Sequence, residues 1–212
     1  MKETLCSLLC TISLLLSYSM EAQDYHLKVA RPQSAALDPT VTVALYDDVQ
    51  LSEEVLSQAA DEVTRIFHKA GVTTLWIACK SSESDETPDP RCQGPPGLRH
   101  LVLRVVPRSW KSSDSVFGVA FLSERGTGAY GDIFYDSVEK LHRDWGAGLP
   151  RVLGHVMAHE LGHLLLGSNA HSREGIMRPS WHGDELRAAS MGALLFTPEQ
   201  ARSIREGLSR YP

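Results

Sequence analysis

His159 and His163 stand four residues apart, with Glu160 directly after the first, in the run Pro150–Leu166 (PRVLGHVMAHELGHLLL). Apolar spacing in this run is helical, and Pro150 suits a first helical position, where its missing N–H costs nothing. On a helix, residues four apart lie about one turn up the same face, so both imidazoles can reach a single point. Glu160 is rotated from them by about a quarter turn. Val152, Leu153, Val156 and Leu164 are left to pack against the rest of the chain. A domain built around this segment must bury the helix and still open a cleft at one of its faces.

The HExxH arrangement has a chemical reason. Two imidazoles hold a zinc ion, and the intervening Glu reaches a water beside the metal rather than the metal itself. The bland alternative is a helix whose histidines face solvent or polar core partners. A third ligand has to come from outside the motif. His171 is the best placed, because Gly167 can end the helix in a left-handed conformation and turn the chain back. Glu185 is the alternative, giving a gluzincin-type site, and His182 is a further option. His155 sits one turn before His159, but positions 155 to 163 spread over about 12 Å of helix axis. One ion cannot meet all three, so His155 reads as a supporting or packed surface residue.

The rest of the chain alternates strands and helices. Val41–Tyr46 reads as a first strand. Ser52 caps a helix that stops at Gly71, with Glu53 and Glu54 set against its dipole. Val72–Ala78, Leu101–Val106, Val116–Leu122 and Asp132–Tyr135 read as four more strands. Gly118 inside the fourth suggests an edge, a bulge or a close backbone approach. Thr197, Pro198 and Gln200 form a capping-box start for a last helix. Helices against one layered sheet would bury these faces.

The N-terminus looks like an export signal. Lys2 precedes the apolar stretch Leu5–Leu16, and Ser17 and Ser19 sit at small-residue positions before a cut, with Ala22 marking a second possible cut. Residues 1–22 are therefore expected to be a signal peptide, 23–40 a loose leader, and 41–212 the folded domain. The apolar run is too short to span a bilayer, so no stable membrane insertion is expected after cleavage. Loss of Cys6 and Cys10 leaves Cys79 and Cys92, an expected disulfide in an oxidising compartment. The net charge of −5 comes without long single-sign blocks, giving no electrostatic case for nucleic acid.

The stretch His159–Pro179, HELGHLLLGSNAHSREGIMRP, resembles the metzincin clan of zinc proteases, and within it the matrixin-like branch. The resemblance implies a zinc-dependent endopeptidase acting on peptides or proteins, secreted or periplasmic. It assigns one catalytic Zn2+ to His159, His163 and His171, makes Glu160 the general base, and makes Met177 the Met-turn residue beneath the ligands. It also implies an α+β fold with an α/β-like N-terminal part: a twisted mixed five-stranded sheet with a backing helix, an active-site helix and a C-terminal helix. One departure is plain. The clan pattern is HExxHxxGxxH, whereas Gly167 comes one residue late and His171 two. Pro90–Pro95 (PRCQGP) is similar to the segment that silences matrixin zymogens through a thiolate, but it lies between strands and Cys79 is a ready partner. Val116–Leu122 matches the clan's substrate-pairing edge strand. Asp132 and Asp136 could bind calcium, though no full ligand set accompanies them.

Overall fold

β-branched and apolar residues at Thr40–Asp47 (β1), Thr73–Cys79 (β2) and His100–Val106 (β3) form strands, joined by the shorter Gly118–Phe121 (β4) and Tyr130–Phe134 (β5). The computed structural model describes residues 38–80, 89–108 and 116–210. The expected signal peptide and most of the leader lie outside the described residues. The strands make one mixed sheet in the order β2-β1-β3-β5-β4. β1 pairs in parallel with both β2 and β3, and β3 pairs in parallel with β5. β4 runs antiparallel to β5 at the edge, with Ala120 opposite Gly131.

Helix α1 (Glu53–Lys69) links β1 to β2. The Ser52 side chain accepts from the Val55 N–H, and Gly71 at φ +72° turns the chain out of the helix, as its sequence predicts. Ala59, Val63, Ile66 and Phe67 of α1 are fully buried, as are Val43, Leu101, Leu103 and Val105 of the sheet. Helix α3 (Leu149–Leu166) carries the two motif histidines and is buried along nearly its whole length. Gly154 lets it approach α1 closely, since a Cβ there would lie 2.8 Å from Ala59 O. Leu153, Met157, Leu161 and Leu164 are 0–1% exposed. At about 1.5–3 kcal/mol each, their burial outweighs the cost of enclosing a few hydrogen-bonded polar groups. Core packing therefore places the helix, and the histidines are carried with it.

Two helices are additions to the expected pattern, one strand is shorter, and one is shifted towards the N-terminus. β5 ends at Phe134, and Tyr135 opens helix α2 (Tyr135–Trp145) instead of closing the strand. Among the described side chains of α2, Ser137, Val138 and Leu141 are buried. Helix α4 (Gly183–Ser190) lies between Met177 and Thr197, where the sequence pattern predicts no element. Its start is a capping box between His182 and Glu185, with a histidine where a Ser, Thr, Asp or Asn would announce the cap. The fourth strand is Gly118–Phe121 rather than 116–122. Helix α5 (Pro198–Ser209) begins with the Thr197–Gln200 capping box that the sequence predicts.

Cys79, at the end of β2, is bonded to Cys92 in the short 3-10 turn Pro90–Gln93, with Cα atoms 5.9 Å apart. Cys92 is thus held in a disulfide, and the likeness of its segment to a zymogen switch has no free thiol to act through. Among the described residues, no helix is long and apolar enough to cross a membrane.

Candidate metal centre

Each motif histidine is fixed through one ring nitrogen. His159 Nδ1 lies 2.7 Å from Ile176 O, and His163 Nδ1 lies 2.7 Å from Ser168 O. A carbonyl only accepts, so Nδ1 carries the hydrogen on both rings and Nε2 carries a lone pair. The two Nε2 atoms face each other at 3.0 Å. Two lone pairs cannot bond to one another. Burial drives the His159 imidazole down to about 3, the neighbouring His163 and His171 adding to the fall against the pull of the Ile176 carbonyl. Burial also lowers His163 and His171. A shared proton is therefore disfavoured, and a divalent cation is what this pair accommodates. Tetrahedral zinc with nitrogen ligands at about 2.0–2.1 Å spaces those nitrogens about 3.3 Å apart, close to the separation found.

His171 completes the group. One ligand atom from each of His159, His163 and His171 can be chosen so that all lie within 4.8 Å of one another. Its ring stacks on His159 at 5.4 Å and meets His163 edge-on at 4.9 Å. Local geometry accommodates the late His171. Gly167 ends α3 at φ +64°, and the Gly167 and Ser168 N–H groups both donate to His163 O. Ser168 Oγ then accepts from Ala170 N at 3.1 Å, forming a small extra turn that takes up the added residues. Beyond His171, Ser172 N donates to Met177 O, folding the chain back beneath the helix. Met177 is fully buried, and its sulfur occupies the space a side chain on Gly162 would need: a Cβ there would lie 2.6 Å from it.

Glu160 faces the edge of the sheet. A Cβ on Gly118 of β4 would come within 2.7 Å of its Cγ and Oε1, so the glycine makes room for the carboxylate. Glu160 is 5% exposed, yet it lines the same cleft of about 320 Å³ as the three histidines. Phe117 and Trp181 form one wall, their rings stacked at 6.5 Å. Trp181 Nε1 donates to Ile176 O, the carbonyl that also receives His159 Nδ1–H. One backbone oxygen thus ties the wall to a member of the trio.

Other candidates are placed elsewhere. Glu185 is engaged by Arg178 Nη1 at 2.5 Å and by His182 N at 3.0 Å, and it does not join the trio. His182 caps α4. His155 is fully buried, not a surface residue: its Nδ1 meets Arg151 O at 2.9 Å and lies 3.5 Å from Glu62 Oε1. Asp132 and Asp136 belong to no group of three or more metal-ligating side chains among the described residues, and Asp136 pairs with Arg108. Leu194 is core, with Leu186 and Leu195 packed against it, while Trp181 reaches the cleft. Sequence reasoning did not find Phe117 or Arg178 as lining residues, because the segments that hold them give neither side chain a role of its own. The glycine within an apolar strand was the one available signal for Gly118.

Comparison of the sequence with family models gives no match, and comparison with curated proteins gives none. Solved structures do match. Archaemetzincin from Methanopyrus kandleri superposes with a TM-score of 0.50 at 18% identity, covering 81% of this chain and 97% of that one. A zinc-dependent peptidase from Methanocorpusculum labreanum gives 0.50 at 13% identity, covering 76% and 99%. The fold is that of zinc-dependent peptidases. Metalloproteinase-II from Bacteroides fragilis gives 0.51 at 14% identity, with 83% of this chain aligned to 55% of a longer one. At these identities the likeness concerns the fold, and the site stands on its own geometry.

Proposed function

We propose that the chain is an exported zinc-dependent endopeptidase, with His159, His163 and His171 as metal ligands and Glu160 as general base. The observation that carries this reading is the inward-facing pair of Nε2 lone pairs in a cleft that also holds a carboxylate. A zinc ion held there supplies a Lewis acid that acidifies water and polarises a peptide carbonyl. Glu160 accepts a proton as the water oxygen bonds to the carbonyl carbon, then passes it to the departing amine as the C–N bond breaks. Ile176 O and Ser168 O keep the Nδ1–H tautomers and hold both rings in place through that exchange. β4, at the sheet edge and along the cleft, offers backbone groups to an extended substrate by strand addition. The matrixin-like branch rests on the sequence of His159–Pro179 alone: HExGH, then Gly167, His171-Ser172 and Met177 shortly before Pro179. Export is supported by the apolar N-terminal run and by the disulfide.

The test is cleavage of a broad peptide library by zinc-loaded protein and by Glu160→Ala. The variant should keep its zinc and lose at least about 100-fold in rate. Equal cleavage by both proteins would reject the mechanism.

A further inference from the structure

Among the described residues, the cleft beside the three histidines is lined by one permanent cation, Arg178, and one carboxylate, Glu160. Asn169 and Ser180 are the neutral polar members, and Phe117 and Trp181 supply an apolar wall. A guanidinium has five N–H donors in a rigid fork. Arg178 uses Nη1 for Glu185 Oε1, and its side chain remains 38% exposed. Glu185 is anchored in turn: its other oxygen accepts from His182 N at the start of α4, and its side chain is 12% exposed. The guanidinium is therefore held through Nη1 by a fixed partner, and its five donors exceed what that one bond uses. An arginine oriented in advance loses little side-chain freedom when it takes a second carboxylate.

We infer that Arg178 is a specificity-determining residue that directs this cleft to peptides bearing an acidic side chain next to the scissile bond. The inference rests on the peptidase reading above. Glu185 offsets part of the arginine charge, so selectivity comes chiefly from directed, charge-assisted hydrogen bonds in a half-enclosed site. A lysine at the same substrate position meets the guanidinium, and the carboxylate that lines the cleft, Glu160, is the proposed general base beside the histidines. Acidic, neutral and basic side chains should therefore rank in that order.

The experiment uses internally quenched peptides that differ at one position on either side of the cleaved bond, carrying Glu, Gln or Lys. At one of these positions kcat/KM for Glu should exceed that for Gln by at least about 10-fold. Arg178→Gln should bring that ratio to within about twofold, and Arg178→Lys should restore part of it. Zinc content and thermal melting check that each variant is folded, and Arg178→Lys alone decides the matter if Arg178→Gln is not. An equal rate for Glu and Gln in the wild type, or a ratio unmoved in the variants, would overturn the inference. Binding of the same peptides to zinc-loaded Glu160→Ala protein gives the ratio without turnover. A Glu-over-Gln preference there, with no cleavage by the wild type, would fault the peptidase reading and leave the role of Arg178 standing.

Discussion

Gly118 and Glu160 share one space: a Cβ on the glycine would lie 2.7 Å from the carboxylate's Cγ and Oε1 and 2.8 Å from Asp132 O. A backbone oxygen on the far side leaves a new methyl group no room to retreat, so the carboxylate has to move. Gly118→Ala should therefore lower kcat/KM by about 10- to 100-fold while zinc affinity stays within about threefold of wild type, because displacement of a base by about 1 Å carries a cost of that size. Steady-state kinetics beside a chelator-competition titration checks both parts. A parallel fall in zinc affinity would mean that the glycine serves the ligands instead.

Gly126 and Gly167 meet backbone to backbone, both with left-handed φ, and a Cβ on Gly126 would lie 2.3 Å from Gly167 O. The turn that carries His171 is thus propped by the β4–β5 loop. Gly146 is also left-handed, at φ +64°, but a Cβ there meets nothing within 4 Å. Gly146→Ala isolates the conformational cost, about 1 kcal/mol. Gly126→Ala should cost more in chemical unfolding and weaken zinc binding by at least about 10-fold, whereas Gly146→Ala leaves zinc binding alone. Equal zinc affinities in the two variants would remove the propping role.

Much of this was legible in the sequence, and the reasons differ from residue to residue. The i, i+4 histidines and the Ser52 and Thr197 caps are local signals, fixed by helix geometry within a few residues, and they appear where expected. The place of His171 depended on a left-handed glycine and a Ser168 turn, which can be guessed from residue types but positioned only by tertiary contact. Helix α2 was hidden because it begins immediately after β5, with no turn residue between Phe134 and Tyr135. Helix α4 was hidden because a histidine stands at its N-cap in place of Ser, Thr, Asp or Asn. Strand order was out of reach, since pairing across β1, β3 and β5 joins segments far apart in the chain.

Metal-free protein should lose stability as pH falls below about 6.5. Burial holds His155, His159 and His163 below the ordinary histidine value, so the unfolded chain binds more protons than the folded one in that range. Stability contributed by these neutral rings is fully present above about pH 6.5 and is lost as pH falls towards the folded values. Urea unfolding from pH 8 to 5 should show a midpoint that declines below about pH 6.5, and saturating zinc should shift the decline to lower pH. A flat midpoint across that range would contradict the buried, neutral state of these side chains.

Reduction of Cys79–Cys92 should affect the fold and spare the chemistry. The bridge spans a separation of 13 residues at the end of β2. In the chain-entropy model a loop of that size contributes about 2–3 kcal/mol. For a domain of this size that corresponds to a Tm lower by about 5–10 °C in Cys79→Ser/Cys92→Ser protein. Zinc content and kcat/KM at low temperature should be retained. A rise in activity on reduction would instead signal a regulatory thiol.

The most direct measurement is zinc-edge X-ray absorption on stoichiometrically loaded protein, beside the His171→Ala variant. Three imidazole nitrogens at about 2.0–2.1 Å and one oxygen are expected for the wild type, with one imidazole lost in the variant. An unchanged imidazole count in His171→Ala, or folded protein that takes up no zinc at all, would contradict three histidines sharing one ion.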